Sequence, residues 1–241
     1  MRLLHCAELC LNYKDMSKYI VTGGAGFIGS HVVEYLVNHK KKVVILDNLS
    51  TGRLENIKKF KKKVKFIKCD ISKKGNWINE FKGKVYVIHL ASVADIVPSI
   101  QFPEKYFNFN VKGTLNILNA CRNCKVLKLI YSASSSCYGI PKKFPTKENE
   151  ILKPMYPYAL TKKMGEDLLV HWSRVYNIPF ISLRLFNVYG TRSRTSGTYG
   201  AMFGVFLAQK ISNKPFTIVG NGKQKRDFTF VTDVVNAIIK S

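Results

Sequence analysis

The 241-residue sequence predicts an α/β fold built on a doubly wound parallel sheet. Short runs of β-branched and apolar residues alternate with longer segments of helical periodicity along most of the chain. Parallel strands need crossover connections, and these connections place helices on both faces of the sheet. A glycine-rich turn follows the first run and opens a helix, which is typical of sheets of this kind.

The predicted elements follow one another in a regular order. The first strand is predicted at 18–22, and the amphipathic helix after it at 27–38. The remaining strands are predicted at 43–47, 64–69, 85–90, 127–132 and 180–185. The later helices are predicted at 103–123 and 156–176, with a last one that begins near Thr232.

The turn after the first strand reads TGGAGFIG at 22–29, in which Gly23, Gly26 and Gly29 have the spacing G-x-x-G-x-x-G. Glycines at these points let the backbone turn sharply and approach a pyrophosphate without a Cβ in the way. The helix N-terminus then offers free N–H groups to the phosphates. A glycine triplet alone also fits an ordinary tight turn. The strand before it and the helix after it favour a Rossmann-type dinucleotide-binding domain.

An acidic residue, Asp47, ends the second predicted strand. A carboxylate at this point accepts hydrogen bonds from the ribose hydroxyls of an adenosine. Its negative charge would repel the additional phosphate of NADP. The sequence therefore predicts NAD as the cofactor.

The chain carries 39 Lys and Arg residues against 15 Asp and Glu, a formal net charge of +24. Such a charge fits either a nucleic-acid-binding protein or a lysine-rich surface that is simply solvated. The lysines stand in clusters, such as 40–42 and 61–63, without the interleaved aromatic residues or the arginine bias typical of base recognition. We therefore expect no nucleic-acid partner, although the positive field would attract an anionic diphosphate substrate.

Six cysteines are scattered along the chain, and Cys121 and Cys124 form a lone C-x-x-C pair. A structural zinc site needs four ligands, so the pair predicts small core residues and no metal. No apolar run approaches the ~18 residues that cross a bilayer, and Glu8 and Asn12 interrupt the hydrophobic N-terminus. We expect a cytoplasmic protein with no membrane partner.

Nine short motifs are distributed over residues 17–241. They are TGGAGFIGSH at 22–31, DNLSTG at 47–52, Asp70-Ile71, HLAS at 89–92, NVKGT at 110–114, SASSSCYG at 132–139, the Y-x-x-x-K pair of Tyr158 and Lys162, RLFNVYG at 184–190 and RDFTFVTDVV at 226–235. With these motifs the chain resembles the extended short-chain dehydrogenase/reductases of the NAD-dependent epimerase/dehydratase family. Within that family the motifs are most similar to those of UDP-glucose and UDP-N-acetylglucosamine 4-epimerases. Thr191 departs from the pattern, because a proline often stands there.

The resemblance implies roles for particular positions. It implies that NAD is held by Gly23, Gly26, Phe27, Ile28, Gly29, Asp47, Asn48, Asp70, Ile71, Leu90, Ala91 and Lys162. It implies a catalytic triad of Ser134, Tyr158 and Lys162. It also implies that the substrate is contacted by Ser134 and Tyr158, and at the diphosphate by Asn187 and Arg226. Phe109 stands where some relatives have a polar cofactor contact and is left out.

The same resemblance implies how the chain is organised. Residues 16–185 are expected to form the NAD-binding domain, and 186–241 part of a small substrate-binding lobe interleaved with that core. Family members continue past the position of Ser241, so the lobe is expected to be incomplete. Residues 1–15 are expected to be a leader or upstream extension, with Met16 as an alternative start.

Tyr158 and Lys162 are four residues apart on a predicted helix and therefore share a face. A free tyrosine, with a pKa of about 10, is a poor base near neutrality. A neighbouring lysine ammonium and the cationic nicotinamide ring both favour the phenolate and are expected to lower the pKa of Tyr158. Ser134, just after a predicted strand, can hydrogen-bond the reacting hydroxyl. The Arg226 fork suits a diphosphate, or else a surface salt bridge to an acidic neighbour.

The resemblance then implies NAD-dependent epimerisation at C4 of a nucleotide-linked sugar, either UDP-glucose and UDP-galactose or their N-acetylated counterparts. Tyr158 would take the proton of the 4-hydroxyl while hydride passes to NAD, and the 4-keto sugar would rotate and take the hydride back on its other face. The nearest alternative is a sugar-nucleotide 4,6-dehydratase, which needs an Asp-Glu pair where this chain has Ser135 and Ser136. A hydroxyl cannot protonate a leaving hydroxide as a carboxylic acid can, which favours the epimerase.

Two alternatives from other classes stay open. An NAD-binding module without catalysis would bind the cofactor but convert no UDP-sugar, and a nucleic-acid-binding protein would hold a duplex at physiological salt. The sequence does not determine which sugar is turned over. A homodimer through the helices at 103–123 and 156–176 is implied by the resemblance. His31 and His89 lie beside the cofactor motifs and are expected to be structural.

Overall fold

The computed structural model describes residues 17–194, 202–218 and 220–241, so the expected leader at 1–15 and the start at Met16 lie outside the described residues. The main strands are β1 (Lys18–Thr22), β2 (Lys42–Asp47), β3 (Lys65–Lys68), β4 (Val85–His89), β5 (Lys128–Ser134) and β6 (Phe180–Leu185). They form one parallel sheet in the order β3-β2-β1-β4-β5-β6. This is the doubly wound Rossmann arrangement that the sequence predicts.

Helices accompany the strands as the predicted alternation requires. They are α1 (Phe27–Asn38), α2 (Ile96–Gln101), α3 (Pro103–Tyr106), α4 (Gly113–Cys124), α5 (Pro157–Tyr176), α6 (Met202–Ile211) and α7 (Val231–Lys240). A π-helical turn at Phe107–Lys112 joins α3 to α4, so the helix predicted at 103–123 is continuous but widened in its middle. In the described part of the chain, no helix combines the length and the apolar character that crossing a bilayer requires.

Each face of the sheet is covered by its own helices, because alternate strand residues point to opposite faces. On one face, Val21 of β1 belongs to a core cluster with Val33 of α1, which also includes residues of α7. On the other face, the neighbouring Ile20 belongs to a cluster with Ile117 of α4 and Leu169 of α5. Helices α1 and α5 therefore lie on opposite sides of the sheet.

Two short strands, β7 (Asn187–Tyr189) and β8 (Phe228–Phe230), form a separate parallel pair. Helix α7 follows β8 directly and packs against α1. Its residues Val234, Val235 and Ile238 are buried in the same cluster as the apolar face of α1. The end of the described chain thus returns to the main core.

The predicted strands agree with the observed ones to within two residues at each end. The sequence analysis did not identify the shorter elements. These are α2, α6, β7, β8 and 3₁₀ segments at Leu54–Lys63, Asn76–Phe81 and Ser135–Tyr138. Most are too short to display a clear period, and 3₁₀ helices do not repeat every 3.6 residues.

Candidate active site

A cavity of about 360 Å³ opens at the carboxyl edge of the main sheet. Its wall includes the glycine turn after β1, the ends of β2 and β5, the loop after β4 and the start of α5. Strand β1 lies between β2 and β4. The chain therefore winds from β1 in one direction to β2 and β3, and in the opposite direction to β4, β5 and β6. A crevice remains where the winding direction reverses, and it is the usual ligand site of such sheets.

The glycine turn brings the backbone very close to the loop after β4. Gly23 has a φ of +68°, and a Cβ built on it would lie 2.9 Å from the Cα of Ala91. A Cβ on Gly29 would lie 2.1 Å from the carbonyl oxygen of Gly23. Helix α1 begins after Gly26 with no side-chain cap, so its first N–H groups are available to an anionic ligand.

Asp47, at the end of β2, is held by two backbone hydrogen bonds. Its Oδ2 accepts from the N–H of Ala25 at 2.9 Å, and its Oδ1 accepts from the N–H of Leu49 at 2.8 Å. Burial raises the pKa of Asp47, while these two bonds act in the opposite direction. Each carboxylate oxygen has a further lone pair, so the side chain can still accept hydrogen bonds from hydroxyls in the cavity that it lines.

Ser134, Tyr158 and Lys162 all line this cavity. Ser134 ends β5 with its Oγ 2.8 Å from that of Ser136, and its hydroxyl is close enough to Tyr158, in the first turn of α5, to favour the phenolate. One turn further along α5, the Nζ atom of Lys162 donates to the carbonyl oxygen of Ser132 at 2.7 Å. The fold thus brings the predicted triad to the same opening as the glycine turn.

Burial dominates the electrostatics of the triad. It raises the pKa of Tyr158 to about 12, and the nearby hydroxyl of Ser134 offsets only part of that effect. Burial also lowers the pKa of Lys162, which is 3% exposed, to about 8. Among the chain's own groups, burial thus outweighs the lowering expected from Lys162, and the lowering expected from the nicotinamide ring stays a prediction. The amine is hydrogen-bonded to Ser132 instead, and desolvation of the phenolate decides the sign.

Tyr106 and Asp95, which were not predicted from the sequence, also affect Tyr158. The ring of Tyr106 lies edge-on to that of Tyr158, with 6.4 Å between the ring centroids. Asp95 lines the cavity, and its charge adds to the effect of burial in raising the pKa of both tyrosines. They come from α3 and from the loop after β4, and no short motif identifies them.

His89, at the end of β4, is buried and neutral, as expected for a structural residue. Its Nδ1 lies 2.7 Å from the hydroxyl of Thr22 and its Nε2 3.0 Å from the hydroxyl of Thr114. Burial lowers the pKa of His89 to about 3. The Thr22 hydroxyl oxygen also accepts from the N–H groups of Leu90 and Ala91. This network fixes the β4 loop beside the glycine turn.

The other predicted cofactor residues also line the cavity: Phe27, Ile28, Asn48, Asp70, Ile71, Leu90 and Ala91. Asn187 lines it too, and its Nδ2 donates to the carbonyl oxygen of Asp227 at 3.0 Å. Arg226 is exposed, donates to the carbonyl oxygen of Lys225 at 2.8 Å, and lies outside the cavity wall that the described residues form. Among the described residues, no three His, Cys, Asp or Glu side chains gather as a metal site would require.

Comparisons with known proteins agree with this geometry. The model of the NAD dependent epimerase/dehydratase family matches residues 19–241. The chain belongs to this family. One relative, a putative UDP-glucose 4-epimerase of Methanocaldococcus jannaschii, is 39% identical over 221 residues, which cover 90% of this chain and 71% of the relative. A UDP-glucose 4-epimerase of Mycolicibacterium smegmatis is 35% identical over 227 residues, covering 92% and 72%.

Solved structures of family members have the same fold. A UDP-N-acetylglucosamine 4-epimerase from Methanobrevibacter ruminantium superposes with a TM-score of 0.88 at 36% identity, covering 92% of this chain and 71% of that one. A UDP-glucose 4-epimerase from Thermus thermophilus, solved as a complex with NAD, superposes with a TM-score of 0.84 at 34% identity, covering 91% and 72%. The predicted resemblance and the predicted fold are both confirmed.

The residues present suit the dinucleotide in the family's name. The uncapped N-terminus of α1 offers donors to a pyrophosphate, and the glycines keep side chains away from it. Asp47, at the end of the neighbouring strand β2, offers hydrogen-bond acceptors to a ribose. An anionic cofactor also suits a chain with a formal net charge of +24.

Proposed function

We propose that this member of the family binds NAD and epimerises a nucleotide-linked sugar at C4, as an isomerase acting on UDP-glucose and UDP-galactose or on their N-acetylated counterparts. The observation that carries the proposal is the convergence of Ser134, Tyr158 and Lys162 on the cavity that the glycine turn lines. The names of the relatives support the same reaction class.

The proposed cofactor contacts divide between two ends of the cavity. The glycine turn, with Phe27 and Ile28, would hold the pyrophosphate, and Asp47 the adenosine ribose. Asn48, Asp70, Ile71, Leu90 and Ala91 would complete this part of the wall, with Lys162 at the opposite end. When bound, NAD supplies the acceptor that takes a hydride from the sugar carbon and later returns it.

The chain's own residues handle the proton. Tyr158 would take the proton from the 4-hydroxyl of the sugar and give it back, while Ser134 would hydrogen-bond the same oxygen. With a pKa of about 12, the phenol needs additional positive charge in the cavity to act as a base near neutrality. The amine of Lys162 is held in the site by its hydrogen bond to the carbonyl oxygen of Ser132. The loss of a proton from Tyr158 therefore depends on ligand binding.

Substrate contacts are proposed at both sides of the opening. Asn187 lines the cavity and is available to a diphosphate. Arg226 lies two residues before β8 and is exposed, so its contact with the diphosphate requires its side chain to turn towards the opening. Residues 16–185 are proposed as the cofactor domain, and 186–241 as part of the substrate lobe.

We expect the protein to act in the cytoplasm and as a homodimer. The four described cysteines are free thiols, which suits a reducing compartment. Apolar side chains on the helices that would form the interface are about half exposed, among them Phe107, Leu160, Val170 and Val175. Sedimentation of the purified protein tests the dimer.

The reaction is tested with purified protein supplied with NAD and either UDP-glucose or UDP-N-acetylglucosamine. The expected product is the C4 epimer, and Tyr158→Phe is expected to lower turnover by a factor of about 10²–10⁴. Tyr156→Phe is the matched control, because Tyr156 is exposed and lies outside the cavity wall. Normal turnover by Tyr158→Phe would refute the proposal. A 4-keto-6-deoxy product would identify a dehydratase, and NAD binding without conversion would identify a non-catalytic module.

A further inference from the structure

A short segment after β7 lines the cavity and is anchored to elements on both faces of the sheet. We call residues 190–194 the strap. Three of its residues line the cavity wall, Arg192, Ser193 and Arg194, together with the glycine turn at the beginning of α1. The sequence analysis assigned no role to these three residues.

The first anchor ties the strap to α1. The Nε2 atom of His31 lies 3.0 Å from the carbonyl oxygen of Thr191. The guanidinium of Arg192 forms an ion pair with Glu34, one turn further along the same helix, and also reaches the hydroxyl of Ser30 at 3.4 Å. The pair is partly exposed, with 20% and 33% of the two side chains accessible.

The second anchor ties the strap to the other face. Arg194 donates from Nη1 to Oδ2 of Asp95 at 2.8 Å, again in a partly exposed ion pair. Asp95 immediately precedes α2, which packs against α5. Since α1 and α5 lie on opposite faces, the strap crosses the carboxyl edge of the sheet at the point where the winding reverses.

The residues of the second anchor line two neighbouring cavities. A neighbouring cavity of about 600 Å³ shares Asp95 and Arg194 with the first, as well as Ser50, Thr51, Arg53 and Val93. The Arg194–Asp95 pair thus lies in the wall that the two cavities share. The ion pair is therefore placed where its opening changes access to the site.

We infer that the strap is a latch that slows the release of the dinucleotide, and that the Asp95–Arg194 and Glu34–Arg192 ion pairs hold it shut. The inference rests on the proposed function. The strap forms part of the wall around a dinucleotide in this cavity, so its release should be easier when an anchor opens. An epimerase returns its cofactor to the starting redox state in each turnover, so the reaction itself never requires that release.

Whether release becomes faster or slower when a negative charge is removed distinguishes a latch from a purely electrostatic effect on the dinucleotide. If Asp95 and Glu34 acted only through their fields, removing either negative charge would favour an anionic dinucleotide and slow its release. If they act as anchors, the same substitution frees the strap and speeds release. Asp95→Asn and Glu34→Gln keep the size of each side chain and remove only the charge. Asp95 makes no side-chain capping bond to α2, so Asp95→Asn leaves that helix intact.

The test measures how fast bound NADH leaves the protein. Wild type and variants are loaded with NADH and mixed with excess NAD in a stopped-flow instrument, and the fall in NADH fluorescence gives the release rate. Each single variant is expected to release NADH about threefold faster and the double variant about tenfold faster, as the loss of partly exposed ion pairs suggests. Asp167→Asn is the matched control, since it breaks the exposed Lys163–Asp167 pair of α5 away from the cavity.

Salt provides a second readout, which compares the wild type with the double variant. Raising KCl from about 0.05 to about 0.5 M should speed release from the wild type, and much less so from the double variant, because screening weakens the same pairs. Release that is unchanged or slower in the charge-neutral variants would overturn the latch while leaving the proposed function in place. A wild-type protein that binds no NADH would overturn both.

Discussion

Replacing Asp47 by asparagine tests how the cavity recognises the adenosine ribose. The carboxylate gives one oxygen to the N–H of Ala25 and the other to the N–H of Leu49. An asparagine has a single acceptor oxygen, so one of these N–H groups must lose its partner, at about 1–3 kcal/mol. Burial raises the pKa of Asp47, so removing a desolvated charge offsets part of this cost.

The effect of Asp47→Asn on NAD affinity follows from the ribose contacts. Hydrogen bonds to a charged acceptor contribute about 1.5–3 kcal/mol, so the Kd for NAD should rise about 10- to 100-fold. The Kd for NADP should change less, because the repulsive charge is lost at the same time. Calorimetric titration with NAD and with NADP measures both Kd values. Glu55→Gln is the control, because it removes a carboxylate from an exposed segment. An unchanged Kd for NAD in a folded variant would refute the assignment of Asp47.

Two other predictions concern α5. A Cβ on Gly165 would lie 2.2 Å from the phenol oxygen of the buried Tyr131. Gly165→Ala should therefore lower the free energy of unfolding, measured by urea denaturation, by about 1–3 kcal/mol. Adding Tyr131→Phe, which removes that oxygen, should restore part of the loss. Full stability of Gly165→Ala alone would contradict this packing. Lys162 has its pKa lowered from 10.5 to about 8, so the unfolded chain binds more protons between these pH values and stability should rise with pH across that window. Relative to Lys162→Met, the wild type should gain roughly 3 kcal/mol between about pH 8 and pH 10.5; an equal pH dependence in both proteins would contradict the shift.

The sequence predicted those parts of the site that short motifs in a known structural context define. The glycine turn, Asp47 and the three triad residues each stand at a strand end or on the first turns of a helix. Strand ends at one edge of a parallel sheet necessarily meet, so the positions of these residues in the chain were enough to place them together.

Contacts between distant segments could not be predicted in the same way. Asp95 lies in the loop after β4 and Tyr106 in α3, and only the folded chain brings them near Tyr158. The ion-pair partner of Arg194 lies about a hundred positions away in the chain. The effect of burial on the pKa of Tyr158 was missed for a related reason. Helical spacing places Lys162 on the same face, but it specifies neither the carbonyl that the amine contacts nor the extent of burial.

In the proposed reaction, hydrogen leaves a sugar carbon and returns to the same carbon inside this cavity. The most direct measurement uses UDP-glucose, or UDP-N-acetylglucosamine, that carries deuterium at C4, with the protein and NAD in ordinary water. The C4 epimer is expected to form and to retain the deuterium at C4, because a hydride passed directly to the cofactor and back stays bound to carbon and does not exchange with water. An epimer whose C4 deuterium has been replaced by solvent hydrogen would contradict it.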